Sequence, residues 1–158
     1  MSSASDVISH WNTLIENFNI SSQGFYTAVT EAIERRQIPN AKIDRISFKE
    51  SHLLSAKREY LRIRCKDFYF AVCGAPFGTG FFVSYWLLEP PAGCLAALFP
   101  RLAMFSRPWT FYRIDTASMF QTATHSAVLE VIDTITSSQG LKALPEAERK
   151  PVMKAFLQ

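Results

Sequence analysis

From Arg58 to Cys73 the chain carries a pattern that few folds can accommodate. Leu61, Ile63 and Cys65 fall on one parity, and Arg58, Tyr60, Arg62, Arg64 and Lys66 on the other. Such period-two alternation marks a half-buried strand. Phe68 to Cys73 follows, rich in the aromatic and β-branched residues that suit a pleated surface. A two-residue turn at Lys66-Asp67 would place Cys65 opposite Phe68, Ile63 opposite Phe70 and Leu61 opposite Val72. That register gathers every apolar side chain on one face, and a slip of one residue would expose the whole set. Lys-Asp is not the favoured Asn-Gly type of turn, so one long bent strand is the alternative. The hairpin register also sets Arg64 opposite Tyr69 on the outer face. It points Cys65 and Cys73 to opposite faces, where they cannot form a disulfide with each other.

Pro76-Phe77-Gly78-Thr79-Gly80 then reads as a turn or short loop. Gly-Thr-Gly lacks the lysine and Ser/Thr of a phosphate-binding P-loop and the spacing of a dinucleotide fingerprint. Phe81 to Leu88 resumes as a strand, apolar on both faces apart from Ser84. A strand of that kind is usually covered on both sides.

Around this centre the helical signals are periodic. Residues 1–4 read as disordered. Ser5 with Asp6 opens an expected helix over 6–18, its stripe formed by Val7, Trp11, Leu14 and Phe18. A second helix starts at Ser21 or Ser22 and runs to about Gln37, with Pro39-Asn40 as the stop, so the two form an N-terminal helical hairpin. Lys42 to Lys49 is a weaker strand whose dense charge suits a sheet edge. Phe111-Tyr112 reads as a short strand. Asp115 or Thr116 then caps a long helix with one face of Ala117, Phe120, Thr124, Ala127, Val128, Val131 and Ile135, ended by Gly140. Pro145 opens a last helix, kinked by Pro151. At 158 residues the chain is expected to be one α+β domain, 1–158. It should have an antiparallel meander of about four strands, with the hairpin and the long helix on one sheet face.

The stretch 92–109 stands apart. Leu95, Leu98, Phe99, Leu102, Met104 and Phe105 cluster between Pro90-Pro91 and Pro108, with Arg107 and Trp109 alongside. A bilayer span needs ~20 apolar residues, and this run is shorter and interrupted by Pro100 and Arg101. It reads as a surface that meets a membrane or a protein partner, a homo-oligomer included; the alternative is a core-packing element. An aromatic beside a cation is how membrane-edge anchors are placed.

Chemistry-bearing motifs are sparse. The three cysteines form no CxxC pair, which signals neither a zinc site nor a disulfide framework. Free thiols and a start with no basic and apolar leader pattern imply a cytoplasmic protein, placed at the inner face of the membrane if 92–109 meets lipid. His10, His52 and His125 lie in three different elements, with no HExxH motif. No nucleophile sits in a recognisable elbow. Glu59 on a strand invites a nuclease reading, but Leu61 stands where that chemistry wants a lysine. The expectation is a non-enzymatic interaction module with no cofactor and no metal. The runner-up is nucleic-acid binding through a basic strand face, where Arg58, Arg62 and Arg64 are interleaved with Tyr60 and Tyr69. A third reading is an apolar ligand held in a pocket lined by some of the thirteen phenylalanines.

Three stretches carry a resemblance: Phe77-Gly78-Thr79-Gly80-Phe81-Phe82-Val83-Ser84-Tyr85-Trp86, Tyr112-Arg113-Ile114-Asp115-Thr116-Ala117 and Glu148-Arg149-Lys150-Pro151. Together they resemble an uncharacterised group of bacterial proteins. In that group the apolar stretch between the first two motifs is longer and suited to membrane insertion. The resemblance implies a membrane-associated role and no known activity. This chain departs from it at Gly93 to Phe105, where the run is short and contains Arg101.

Overall fold

The computed structural model describes residues 6–48, 58–90 and 108–154. The expectations for residues 1–4, for His52 and for the 92–107 part of the apolar stretch lie outside the described residues. The chain forms an antiparallel sheet with two helices on one face. In order these are β1 (Asp6–Glu16), α1 (Ser22–Arg35), β2 (Lys42–Phe48), β3 (Arg58–Cys65), β4 (Phe68–Phe77), β5 (Gly80–Glu89), α2 (Phe111–Ser138), a 3₁₀ turn (Glu146–Arg149) and β6 (Val152–Met153). The sheet has six strands in the order β2-β3-β4-β5-β1-β6.

The centre follows the alternation. Cys65 faces Phe68, Ile63 faces Phe70 and Leu61 faces Val72. Lys66 takes the left-handed conformation in the turn, at φ 52. Leu61, Ile63, Phe68, Phe70 and Val72 are buried together, and Arg62 and Arg64 point to the other face. Strands β2 to β5 form the expected meander, with β2 at the edge.

The N-terminal helical hairpin is corrected to a strand followed by one helix, and the four strands to six. Residues 6–16 form β1, paired with β5 from Asp6↔Glu89 to Glu16↔Gly80. The spacing of Val7, Trp11, Leu14 and Phe18 fits a helix. On the strand, however, Val7 and Leu14 are exposed while Trp11 is buried, and Phe18, buried too, lies beyond its end. The competing signal came from β5, which is apolar on both faces and offers its free edge to a partner. A ten-residue ladder with that edge outweighs local helical spacing. A register shift between Val7 and Ser9 turns both Ile8 and Ser9 inward. Asn17, at φ 57, then reverses the chain, and its N–H bonds the Thr79 carbonyl in the β4–β5 turn at 3.0 Å.

Helix α1 begins where the sequence indicates, with the Ser21 hydroxyl accepting the Gly24 N–H at 3.0 Å. Helix α2 starts earlier than Asp115. Thr110 is its cap, accepting the Arg113 N–H, so Phe111-Tyr112 is the first turn of the helix and not a strand. Gly140, at φ 65, closes the other end. The expected final helix shrinks to the 3₁₀ turn. Pro151 holds Lys150 extended and lets the chain run on into β6, which pairs with β1 at Ser9 and His10.

Both helices pack on the inner face. Phe25 and Phe81 rings lie 5.5 Å apart, and Phe70 and Phe120 rings 4.9 Å apart in an edge-on arrangement. From α2, Ala117, Phe120, Thr124, Ala127, Val128 and Val131 are buried and Ile135 is partly so. Arg35 of α1 and Arg36, its C-cap, both reach Glu130 of α2, at 2.7 and 2.6 Å, which ties the two helices at the surface.

Candidate functional site

Of the eight apolar-site residues expected at 95–109, Leu95, Leu98, Phe99, Leu102, Met104, Phe105 and Arg107 lie outside the described residues. Trp109 is described, and it packs inward. Its ring stacks on Phe68 at 6.0 Å, and the Arg113 guanidinium lies 5.0 Å from its centroid. Arg113 also pairs with Glu89, both being largely buried. Trp109 thus fastens the start of α2 to the sheet.

Directly after it, three large apolar side chains are exposed, with the exposed Asp115 between them on the helix. Phe111 is 88% exposed, Tyr112 66% and Met119 66%. Tyr112 and Met119 are seven residues apart, about two helical turns, so they share one outward stripe of α2, with Phe111 and Asp115 beside it. The Lys66 ammonium, from the β3–β4 turn, bonds the Tyr112 hydroxyl and lies 4.7 Å from the ring centroid. That ammonium holds the Tyr112 phenol below its ordinary range, and Lys66 is raised in return. The result is an exposed aromatic and thioether patch with a cation at its margin, continuous in the chain with the apolar 92–109 stretch.

Arg58, Tyr60, Arg62, Arg64 and Tyr69 do share the outer sheet face, with Arg64 opposite Tyr69 as the alternation implies. Asp44 of β2 sits among them. Its carboxylate takes the Arg62 guanidinium in a two-pronged bond and lies 3.6 Å from Arg64. The bond to Arg62 holds the Asp44 carboxyl below its usual range. A fixed carboxylate in the middle of the arginines opposes phosphate binding there. Across the same face His10 stacks on the half-exposed Trp86 at 4.9 Å.

A third arrangement was not anticipated. A directional chain of hydrogen bonds runs through the core from β1 to the C-terminal segment. The Ser9 hydroxyl donates to Gln121 Oε1 at 2.8 Å, and Gln121 Nε2 donates to the Tyr85 hydroxyl at 2.8 Å. Tyr85 and His125 Nδ1 are 2.9 Å apart, and His125 Nε2 is 2.7 Å from the Arg149 carbonyl. A carbonyl only accepts, so Nε2 carries a proton; in the neutral imidazole that burial favours, Nδ1 accepts from Tyr85. Burial, followed by the charge of Arg149, pushes the His125 pKa down, against the opposing hydrogen bond to the Arg149 carbonyl. Burial likewise raises the Tyr85 phenol. The Trp11 ring packs against both Tyr85 and His125. With both nitrogens engaged, His125 has no lone pair left for a metal or substrate. Among the described residues no group of three or more His, Cys, Asp or Glu side chains is placed to hold a metal ion. The available sequence signal was Gln121 and His125 four residues apart on the apolar side of a long helix, where polar side chains need buried partners.

The fold and its surfaces define an α+β protein built on an antiparallel sheet with a helix-covered inner face. Comparison with protein-family models, with curated proteins and with solved structures found no match in any of the three.

Proposed function

We propose that this chain is a non-enzymatic interaction module that docks on a membrane surface through the apolar stretch 92–109 and the first turns of α2. The observation that carries this reading is the exposure of Phe111, Tyr112 and Met119 on a helix whose other side is fastened to the core by Trp109 and Arg113. A patch of large apolar side chains held rigidly outward marks an interaction site. Its chemistry suits a lipid interface: Tyr112 has an apolar body and a polar tip, and Lys66 stands beside it as a counter-charge for anionic headgroups. The proposed mode is peripheral, because the apolar run is shorter than the ~20 residues a span needs and is interrupted by Pro100 and Arg101.

Vesicle co-sedimentation tests the proposal. The wild-type chain should bind vesicles containing phosphatidylglycerol more tightly than pure phosphatidylcholine vesicles. Phe111→Asp combined with Met119→Asp should keep the fold and weaken binding at least about tenfold, because both side chains lose apolar contact and place carboxylates against anionic lipid. A wild-type chain that ignores both vesicle types, or a double variant that binds as well as wild type, refutes it.

A further inference from the structure

Residues 145–154 lie across β1 and α2 as a ligand lies on a receptor. The Trp11 indole N–H donates to the Glu148 carbonyl at 2.6 Å, and His125 Nε2–H donates to the Arg149 carbonyl at 2.7 Å. The Arg149 guanidinium forks onto Asp133 at 3.0 and 2.6 Å. Val152 and Met153 then add a short strand beside His10 and Ser9. Apolar burial is confined to Leu144, with Leu141, Pro151 and Met153 partly buried. Glu146, Ala147, Glu148 and Lys150 are exposed, Val152 is 58% exposed, and Leu144 is the buried apolar anchor of the tail. The Lys154 N–H also bonds the Ile8 carbonyl and Thr13 bonds Glu148, so the segment is held mainly by directional polar contacts, the kind of element drawn from the low-stability end of a fold.

We infer that the surface of β1 and α2 around Trp11, His125 and Asp133 is a peptide-recognition groove, and that its ligand is the tail of this chain supplied by a second copy as well as by its own. Two backbone-reading ring N–H donors, a carboxylate for one arginine and a strand edge are the elements of peptide recognition. The hinge is Gly140, at φ 65, with nothing within 4 Å of the position a Cβ would take. Beyond it, Arg149 Nε bonds the Leu144 carbonyl, a link inside the tail itself. Exchange between two copies needs no contact that the single chain does not already make. Tethering favours the chain's own tail when dilute, so exchange grows with concentration.

Complementary charge reversal tests this. Asp133→Arg alone and Arg149→Asp alone each break the fork within their own chain. In a mixture of the two, only tail exchange restores both opposite-charge pairs. Each variant alone should sediment as a monomer and the equimolar mixture as a one-to-one dimer; a mixture that remains monomeric overturns the inference. Should either variant lose its helical circular dichroism, the chain with Lys142 and Ala143 deleted decides the matter. Its shortened linker cannot seat the tail on its own groove, so a dimer is expected, and any other outcome overturns the inference.

Discussion

The Tyr26 hydroxyl accepts the Gly74 N–H at 3.1 Å and donates to the Glu59 carbonyl at 2.7 Å. It does so where β3 parts from β4. Pairing between the two strands ends at Leu61↔Val72, although both strands continue beyond it. One phenol from α1 takes the place of the ladder and satisfies two backbone groups that would otherwise be stranded. Burial raises the Tyr26 phenol well above its ordinary range, so it stays protonated and able to donate at any ordinary pH.

Tyr26→Phe should therefore destabilise by about 1–3 kcal/mol, the cost of leaving buried polar groups unpaired. Gly74→Ala should cost a similar amount for a different reason, since its Cβ would lie 2.5 Å from Phe25 Cδ1. Urea unfolding measures both. Phe25→Leu should recover part of the Gly74→Ala loss and none of the Tyr26→Phe loss.

His125 predicts the dependence of stability on pH. Its folded pKa lies below its unfolded value, near 6.5. The unfolded chain binds more protons as pH drops through that range, so stability is complete above about 6.5 and falls as pH falls toward the lower folded value. The groups facing the ring are the Tyr85 phenol from β5, Trp11 from β1, and from the tail Arg149, whose charge is countered by Asp133. Chemical denaturation between pH 5 and 7 should show this slope in wild type and a shallower one in His125→Gln.

Val131 is buried on the sheet side of α2. Val131→Asp places an unpaired carboxylate there and should destabilise by roughly 3–5 kcal/mol. A melting midpoint within a degree or two of wild type would contradict the packing of α2 described above.

Thr124 is fully buried, and among the described residues its hydroxyl has no hydrogen-bond partner. Thr124→Val keeps the shape and removes the unsatisfied oxygen. It should stabilise by up to about 1 kcal/mol in thermal or urea unfolding, since valine and threonine have similar helix propensity.

The β3–β4 register and the buried face of α2 were legible in the sequence because each signal is local and repeats at the period of its own element. Ile63 meets Phe70 across a two-residue turn, and Phe120, Val128 and Val131 recur at helical spacing along one segment. What tertiary structure alone decided is the fate of segments whose partners are far away in the chain. Val7, Trp11, Leu14 and Phe18 have helical spacing, yet β1 is a strand because the edge of β5 accepts it along its length. Ser9 and Thr13 look like surface residues until Gln121 and Glu148, 112 and 135 positions away, supply their hydrogen bonds. Trp109 looks like an outward anchor until Phe68 and Arg113 cover its faces, which leaves Phe111, Tyr112 and Met119 as the side chains turned outward. Periodicity reports which face of an element is apolar; whether that face finds a neighbour depends on where the rest of the chain goes.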